Sequence, residues 1–261
     1  MNSERMDNRT FVITGASSGM GAAMSRDFAK RGAKIAIFDL DAEKAGTVTD
    51  GIARDGGIAR AYKVDVTNAA QIESATDKVE EDLGPITSWV NSAGISRMVP
   101  FLNTSEELLD LTVGVNLKGT FLCCQAAIRK MLSHGGGVIL NICSLSGKKP
   151  SSWQTAYCAS KFGVLGLTQA IAKEFADRNI RVNSICPGIV PTEMWDRLKY
   201  EYAKKRGLDP EEVLPYFEKS IPMHRLVDLQ DIINAAVFLL TDNSSYLTGQ
   251  SINLTGGEWM D

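Results

Sequence analysis

A tyrosine and a lysine one helical turn apart are the side chains in this sequence best suited to chemistry. In the run Thr-Ala-Tyr-Cys-Ala-Ser-Lys, Tyr157 and Lys161 are four positions apart, with three small residues between them. That spacing places both side chains on one face of a helix. A phenol with a pKa of about 10 is a poor base at neutral pH, and a nearby ammonium favours its ionised form. The spacing therefore indicates a proton-transfer pair, and a tyrosine and lysine that merely share a helix are the alternative.

A glycine-rich turn near the start of the chain is a second candidate for chemistry. Gly15, Gly19 and Gly21 follow an apolar strand candidate and precede a helical pattern, with the spacing G-x-x-x-G-x-G in place of G-x-G-x-x-G. Glycines in such a turn allow a pyrophosphate to approach the unpaired N–H groups of a helix N-terminus. The turn predicts a dinucleotide site, and a purely structural strand–helix turn is the alternative.

An aspartate at the end of the second strand candidate bears on the choice of dinucleotide. Asp39 lies about twenty residues after the glycines, Leu40 follows it, and the glycine loop carries the neutral Ser18. A carboxylate in this place accepts hydrogen bonds from a ribose 2′-OH and repels a 2′-phosphate. The combination favours NAD over NADP, and a solvated loop aspartate is the alternative.

The elements that must position these residues alternate between short apolar runs and helical patterns. Several runs are rich in Val and Ile without polar alternation, as in strands covered on both faces. Strand candidates are Thr10–Thr14, Lys34–Phe38, Ala59–Val64, Ile86–Val90, Gly137–Ile142, Ile180–Ile185 and Ser251–Leu254, and helical stretches include Gln71–Leu83, Glu106–Ser133, Thr155–Asp177 and Leu229–Leu240. The order predicts an α/β fold: a Rossmann-type, doubly wound parallel sheet of about seven strands, in a single domain over residues 1–261.

One segment, at about residues 191–225, interrupts this alternation. It contains two helical patterns, Thr192–Arg206 and Pro210–Lys219, and it follows the carboxyl end of a strand. Insertions at that edge of an α/β sheet usually cover a substrate, so we predict a helical substrate lid. Its apolar series Met194, Trp195, Leu198 and Tyr202 fits lid packing, and a substrate cage is the alternative.

Composition restricts the classes of function. The 261-residue chain has a formal net charge of −3, which gives no reason to expect nucleic acid or an anionic membrane as partner. Its N-terminus is polar, unlike a signal peptide, and no apolar run approaches the roughly 20 residues of a membrane span. Five cysteines and two histidines follow no disulfide or metal spacing. We expect a cytoplasmic protein with reduced thiols and no metal.

Further motifs follow in the order typical of the short-chain dehydrogenase/reductase family. With the glycine turn, they give the chain a resemblance to this family from that turn to Gly256-Gly257. Asp65-Val66 follows the third strand, and Asn91-Ser-Ala-Gly94 ends the fourth, where the family usually has Asn-Asn-Ala-Gly. The resemblance implies contacts with a nicotinamide dinucleotide from Gly15, Ser17, Ser18, Gly19, Met20, Gly21, Asp39, Leu40, Asp65, Val66, Asn91, Ala93, Gly94, Tyr157, Lys161, Pro187, Gly188, Val190 and Thr192.

The resemblance also implies a catalytic tetrad. Asn116 lies mid-helix, and Ser144 follows a strand reading Asn-Ile-Cys-Ser, in which a cysteine replaces the family's first serine. By analogy with the family, Tyr157 is the general base or acid, and Lys161 lowers its pKa and holds the nicotinamide ribose. Ser144 orients the substrate oxygen, and Asn116 holds a water that links Lys161 to solvent.

The family resemblance implies hydride transfer but leaves the substrate open. The lid resembles that of NAD-linked polyol, sugar and vicinal-diol dehydrogenases, and Ser144, Ser146, Gln154 and Tyr157 are the expected substrate contacts. One alternative is a reductase of carbonyls or 3-oxoacyl thioesters, which mostly favours NADPH. A second is a dehydrogenase of an anionic sugar or alcohol, since Lys148-Lys149 follows the serine strand. A third is a cofactor-binding regulator without catalysis. The stereochemistry and direction of the reaction stay open.

Family resemblance further implies a homotetramer that pairs long helices across two-fold axes. Here those helices are Glu106–Ser133 and Thr155–Asp177. The apolar positions that fit such an interface are Phe162, Leu165, Leu167 and Ile171, and they fit the core of the subunit as well. Dimer and tetramer are both open.

Overall fold

The structure is a computed structural model that describes residues 5–260. The first four residues, on which part of the signal-peptide prediction falls, lie outside the described residues.

Seven parallel strands form one sheet in the order β3-β2-β1-β4-β5-β6-β7. The strands are β1 Thr10–Thr14, β2 Lys34–Asp39, β3 Ile58–Lys63, β4 Ile86–Asn91, β5 Gly137–Ile142, β6 Ile180–Pro187 and β7 Ser251–Leu254. Strand order reverses between β1 and β4, and ligands of such sheets bind at the carboxyl edge beside that reversal. The predicted Rossmann-type sheet is confirmed.

Helices cover both faces of the sheet. They are α1 Gly19–Lys30, α2 Ala42–Arg54, α3 Ala69–Leu83, α4 Glu106–Val113, α5 Thr120–Ser133, α6 Thr155–Phe175, α7 Glu193–Arg206, α8 Val213–Ser220 and α9 Leu229–Leu240. Successive residues of β1 point to opposite faces, so Phe11 and Ile13 pack with α1, α2 and α9. Val12 packs with α3 and α5 on the other face. This double burial explains why the strands read as unbroken apolar runs.

The predicted helix Glu106–Ser133 is divided. A π-helical turn, Gly114–Gly119, separates α4 from α5, and an added Cβ on Gly119 would lie 2.8 Å from Val66 Cγ2. The 28-residue stretch Glu106–Ser133 is long enough to cross a membrane, and an apolar window of 18 residues within it has a mean hydropathy of 1.3. Half of that apolar window is buried, and α5 packs on the sheet, as a core helix of a soluble protein does.

The lid segment, residues 191–225, contains α7 and α8, joined by the 3₁₀ turn Pro210–Glu212. Apolar faces of the two helices form a cluster of their own with Met98, in which the rings of Tyr202 and Phe217 are 4.6 Å apart. Just outside the segment, Val227 N donates to Ile189 O at 3.0 Å. The chain therefore leaves and re-enters the sheet region at nearly the same point.

Candidate active site

Three of the predicted catalytic residues line one cavity of about 420 Å³ at the carboxyl edge of the sheet. Ser144 follows β5 and begins a one-turn 3₁₀ helix, and its Oγ accepts a hydrogen bond from Ser146 N at 3.1 Å. Tyr157 and Lys161 lie in the first two turns of α6. The end of one strand and the start of the next helix therefore bring a hydroxyl, a phenol and an ammonium together. We call this space the catalytic cavity.

Lys161 is buried, and its ammonium group bonds to the main chain at the end of β5. Its Nζ donates to Ile142 O at 2.8 Å and lies 5.7 Å from the ring centroid of Tyr157. Burial lowers the pKa of Lys161, because a dry site disfavours the charged form. Lys161 therefore lies near the phenol, as predicted. Its ammonium group already donates one hydrogen bond to the main chain.

The protein groups alone do not lower the pKa of Tyr157 as expected from its lysine neighbour. Burial raises this pKa above its usual value of about 10, and a hydrogen bond with Ser144 opposes the change only in part. Among the groups of the chain, burial has the largest effect on this pKa. The lowering expected from Lys161 and a bound nicotinamide stays a prediction.

Asn116 lies in the π-helical turn, fully buried, and does not line the catalytic cavity. Its Oδ1 accepts from Ile95 N at 2.8 Å, and its Nδ2 donates to Ile95 O and Ser160 Oγ, each at 3.0 Å. A Cβ added to Gly94 would lie 3.4 Å from Asn116 Oδ1 and 3.6 Å from Lys161 Nζ. Asn116 is therefore close to Lys161, and its amide fixes the loop after β4 against α6.

A second cavity, of about 290 Å³, lies beside the glycine turn; we call it the dinucleotide cavity. Gly15 has a φ of +62°, and a Cβ there would lie 2.6 Å from Ala93 Cα. A Cβ on Gly21 would lie 2.5 Å from Gly15 O, so the start of α1 packs directly on the turn. The turn leaves the N-terminus of α1 open to the cavity, which fits a bound pyrophosphate.

The Asp39 carboxylate lies in the wall of the dinucleotide cavity and is held by two hydrogen bonds. Its Oδ2 accepts from Ser17 N at 2.9 Å, and its Oδ1 accepts from Asp41 N at 3.0 Å. Leu40 beside it is 60% exposed. Among the described residues, neither lysine nor arginine lines this cavity. The wall is therefore acidic, a composition that suits a ribose hydroxyl better than a phosphate.

Most predicted cofactor residues line one of the two cavities. The dinucleotide cavity is lined by Gly15, Ser17, Ser18, Gly19, Met20, Gly21, Asp39, Leu40, Asp65, Val66, Ala93, Gly94 and Thr192. The catalytic cavity is lined by Tyr157, Lys161, Pro187, Gly188, Val190 and again by Met20, Gly94 and Thr192. Asn91 lines neither, because its buried side chain bonds to Trp89 Nε1 and to Asn141 Oδ1, each at 2.8 Å. Its side chain belongs to the sheet core.

The predicted substrate residues Ser146 and Gln154 also line the catalytic cavity. Gln154 is buried and donates through Nε2 to Ser96 Oγ at 3.0 Å. The apolar series of the lid belongs to the lid cluster and also lines the catalytic cavity; its members are Met194, Trp195, Leu198 and Tyr202. Cavity residues that we missed from the sequence are Met98, Lys205, Arg206, Phe217 and Glu258.

Comparisons with known proteins agree with this geometry. A family model described as "Enoyl-(Acyl carrier protein) reductase" matches residues 15–258. The chain is 38% identical to a D-threitol dehydrogenase of Mycolicibacterium smegmatis, over 97% of this chain and 94% of that one. It is 37% identical to a galactitol 2-dehydrogenase of Agrobacterium fabrum, over 98% and 99%.

Among solved structures, sorbitol-6-phosphate 2-dehydrogenase SrlD of Erwinia amylovora matches with a TM-score of 0.93 and 36% identity, over 97% of this chain and all of that one. The chain belongs to the short-chain dehydrogenase/reductase family. It is thus an oxidoreductase acting on alcohols, of a family that normally uses a nicotinamide cofactor.

Two positions depart from the usual pattern of the short-chain dehydrogenases. Ser92 occupies a family asparagine position, and its main-chain N donates to Thr14 Oγ1 at 3.1 Å. Cys143, in place of the first serine of the β5 motif, is buried and points its thiol to Lys161 O at 3.3 Å. Both residues therefore bond to groups that surround the site: the Thr14 hydroxyl and the main chain of α6.

The two lysines after the serine strand have different surroundings. Lys148 Nζ donates to Ser251 O at 2.8 Å, away from the catalytic cavity, whereas Lys149 lines the cavity and pairs with Glu258 at 3.4 Å. All five cysteines are buried and free. Across residues 5–260 there is no group of three or more His, Cys, Asp or Glu side chains that could hold a metal ion.

Proposed function

We propose that the chain is an NAD(H)-dependent dehydrogenase that converts a secondary alcohol of a polyol, sugar or vicinal diol to the ketone, reversibly. One observation supports this most. The catalytic and dinucleotide cavities share Met20, Ser92, Gly94, Thr192 and Met194 as lining residues. A carbinol beside Tyr157 would therefore lie next to a dinucleotide. The activities named for the threitol and galactitol relatives support a polyhydroxylated substrate.

The walls of the dinucleotide cavity support NAD over NADP. The Asp39 carboxylate would accept the two adenosine ribose hydroxyls, and the N-terminus of α1 would meet the pyrophosphate. Lys161 would hold the nicotinamide ribose through the ammonium protons not used by Ile142 O. These contacts come from residues outside the lid segment.

In the proposed reaction, the chain's own groups move the proton. When bound, an oxidised nicotinamide would supply a hydride acceptor and a positive charge to this site. That charge opposes the effect of burial on the pKa of Tyr157. Tyr157 Oη then takes the hydroxyl proton, and Ser144 Oγ donates to the oxygen on which negative charge develops. Lys161 relays the proton towards the Asn116 region, where a water is the expected exit.

A carbonyl or thioester reductase is the second candidate, and the description of the matching family model supports it. Such reductases mostly use NADPH, and the acidic wall at Asp39 argues against that cofactor. A regulator without catalysis has less support still, because such a protein has no need to keep Ser144, Tyr157 and Lys161 in one cavity.

The test combines a substrate panel with one variant. We expect NAD reduction with at least one polyol, sugar or diol, and we expect Tyr157→Phe to lower kcat at least 100-fold, since general-base catalysis contributes about that much. Tyr216→Phe removes a hydroxyl from a lid tyrosine that does not line the cavity and serves as the matched control. Failure of the whole panel, or turnover of Tyr157→Phe within tenfold of the unmodified enzyme, would refute the proposal.

A further inference from the structure

We propose that the substrate carries an oxyanion, such as a phosphate or sulfonate, on a carbon other than the reacting one, and that Lys205 and Arg206 bind it. This inference rests on the proposed function of the catalytic cavity. It names a substrate class that the catalytic residues themselves do not specify.

The charges around the cavity are the first observation. Lys205 and Arg206, in the last turn of α7, line it together with Lys149. One lining carboxylate, Glu258, faces them, and it already pairs with Lys149. Apart from the catalytic lysine, the described lining therefore has three cations against one anion. A neutral polyol gives no reason for this excess.

The hydrogen bonding of Arg206 is the second observation. Its Nε donates to the Tyr202 hydroxyl at 3.3 Å, and its guanidinium carbon lies 5.7 Å from the ring centroid of the same tyrosine. Within residues 5–260, this hydroxyl is the single hydrogen-bond acceptor of the guanidinium. Tyr202 is buried, so the group is oriented while its terminal N–H groups stay available. A planar pair of N–H groups matches two oxygens of a phosphate or sulfonate.

Lys205 adds a second donor beside it. Its Nζ donates to Ser152 O at 2.8 Å and to Ser151 Oγ at 3.3 Å, which leaves one of three ammonium protons for a ligand. Burial and the neighbouring Arg206 both lower the pKa of Lys205. A bound anion would relieve that repulsion between cations. Ser152 lines the same cavity and its hydroxyl can donate a further hydrogen bond, whereas the Ser151 hydroxyl already donates to Ser152 O at 3.4 Å.

Basic residues at a helix C-terminus also stabilise the helix dipole, which is the simpler explanation of the run Lys204-Lys205-Arg206. The chain provides a control for it. Lys204 is exposed, belongs to the same last turn, and does not line the cavity. A dipole effect would involve all three residues, whereas ligand binding involves only Lys205 and Arg206.

The test compares a polyol with its terminal phosphate monoester. We expect kcat/KM of the unmodified enzyme to be at least tenfold higher for the ester, and Arg206→Gln or Lys205→Gln to reduce that ratio about tenfold or more, as for the loss of one charged hydrogen bond. Lys204→Gln should leave the ratio unchanged. A ratio of one or less in the unmodified enzyme, or an equal loss in Lys204→Gln, would overturn the inference.

Calorimetry makes the test independent of turnover. With NADH present, the ester should bind about tenfold more weakly to Arg206→Gln than to Lys204→Gln. If neither polyol nor ester supports NAD reduction, the proposed function fails, and the binding comparison still decides on the anion site. Equal affinities in the two variants would exclude that site.

Discussion

At the scale of single residues, Asp39 has an unusually well-fixed carboxylate for a loop position. Two main-chain N–H groups, from Ser17 and Asp41, hold its two oxygens. The first of these bonds ties the carboxylate to the glycine turn itself. Charge and loop geometry are therefore coupled at this residue, since an amide in its place would remove the charge together with one of the two acceptor oxygens.

We predict that Asp39→Asn shifts cofactor preference towards NADP. The amide keeps one acceptor oxygen but loses the charge that repels a 2′-phosphate. The ratio of kcat/KM for NAD to that for NADP should fall about tenfold or more, measured by steady-state kinetics with one alcohol. Asp41→Asn changes the next carboxylate, which caps α2 and does not line the cavity, so its ratio should stay within twofold. An unmodified enzyme that prefers NADP would contradict the assignment.

Sequence reasoning succeeded where one element fixes the geometry. Helix periodicity predicts that Tyr157 and Lys161 share one face of α6, and the end of β5 predicts the position of Ser144. It could not foresee the side-chain direction of Asn91, because a residue at a strand end can point into the sheet core as easily as into a cleft. Lys205 and Arg206 escaped notice because only the folding of the lid brings them to the cavity.

At the scale of elements, the lid helix α7 is attached to the loop after β4. The Glu201 carboxylate accepts from Arg97 Nε and from Met98 N, each at 2.6 Å, and Arg197 Nη2 donates to Ser96 O at 2.8 Å. Because Ser96 in turn accepts from Gln154, the lid, this loop and the start of α6 form one connected wall. The side chain of Glu201 is only 15% exposed, so its bonds are partly protected from water.

We predict that Glu201→Ala raises KM for the alcohol about tenfold with a smaller effect on KM for NAD. The lid loses its bonds to residues 97–98, while the dinucleotide cavity keeps its glycine turn. Denaturant unfolding should show a loss of about 1–3 kcal/mol, as for a hydrogen-bonded charged group. Glu211→Ala is the control, since Glu211 pairs with Lys199 on the lid surface with 77% of its side chain exposed. That variant should lose less than about 1 kcal/mol and leave KM unchanged. Equal KM values in the two variants would contradict the attachment role.

The alternation of strands and helices was predictable element by element, but the π-helical turn at Gly114–Gly119 was not. Apolar periodicity over Glu106–Ser133 is compatible with an uninterrupted helix, and a single widened turn changes it too little to notice. The consequence is local and functional, since the turn contains Asn116. Its amide reaches both Ile95 and Ser160 from there.

At the scale of the whole molecule, apolar side chains on the outer side of α4, α5 and α6 have no covering element within the subunit. Leu111 is 56% exposed, and Phe121 and Phe162 are each 45% exposed. Leu165 and Ile171, which fitted either an interface or a core, pack against clusters of the subunit itself. Exposed apolar area of this kind is typical of a surface that another subunit covers.

We therefore predict a homotetramer in which α5 and α6 pair across a two-fold axis. Sedimentation velocity of the unmodified protein should give a mass about four times the 28.3 kDa of the chain. Phe162→Glu should dissociate it, because the carboxylate would be buried unpaired at the axis. Ile58→Glu, at a site 50% exposed on the edge strand β3, should leave the mass unchanged. A monomeric unmodified protein would refute the prediction.

Val227 N donates to Ile189 O at the base of the lid segment, and this bond bears on how the protein can evolve. Because the chain leaves and returns at one point, residues 191–225 form an insert whose replacement need not alter the register of any strand. The proton-transfer residues Ser144, Tyr157 and Lys161 all lie outside it. We therefore expect that exchanging residues 191–225 between relatives changes the substrate range while Ser144, Tyr157 and Lys161 stay in place, provided that the exchanged segment keeps Thr192, which lines the dinucleotide cavity.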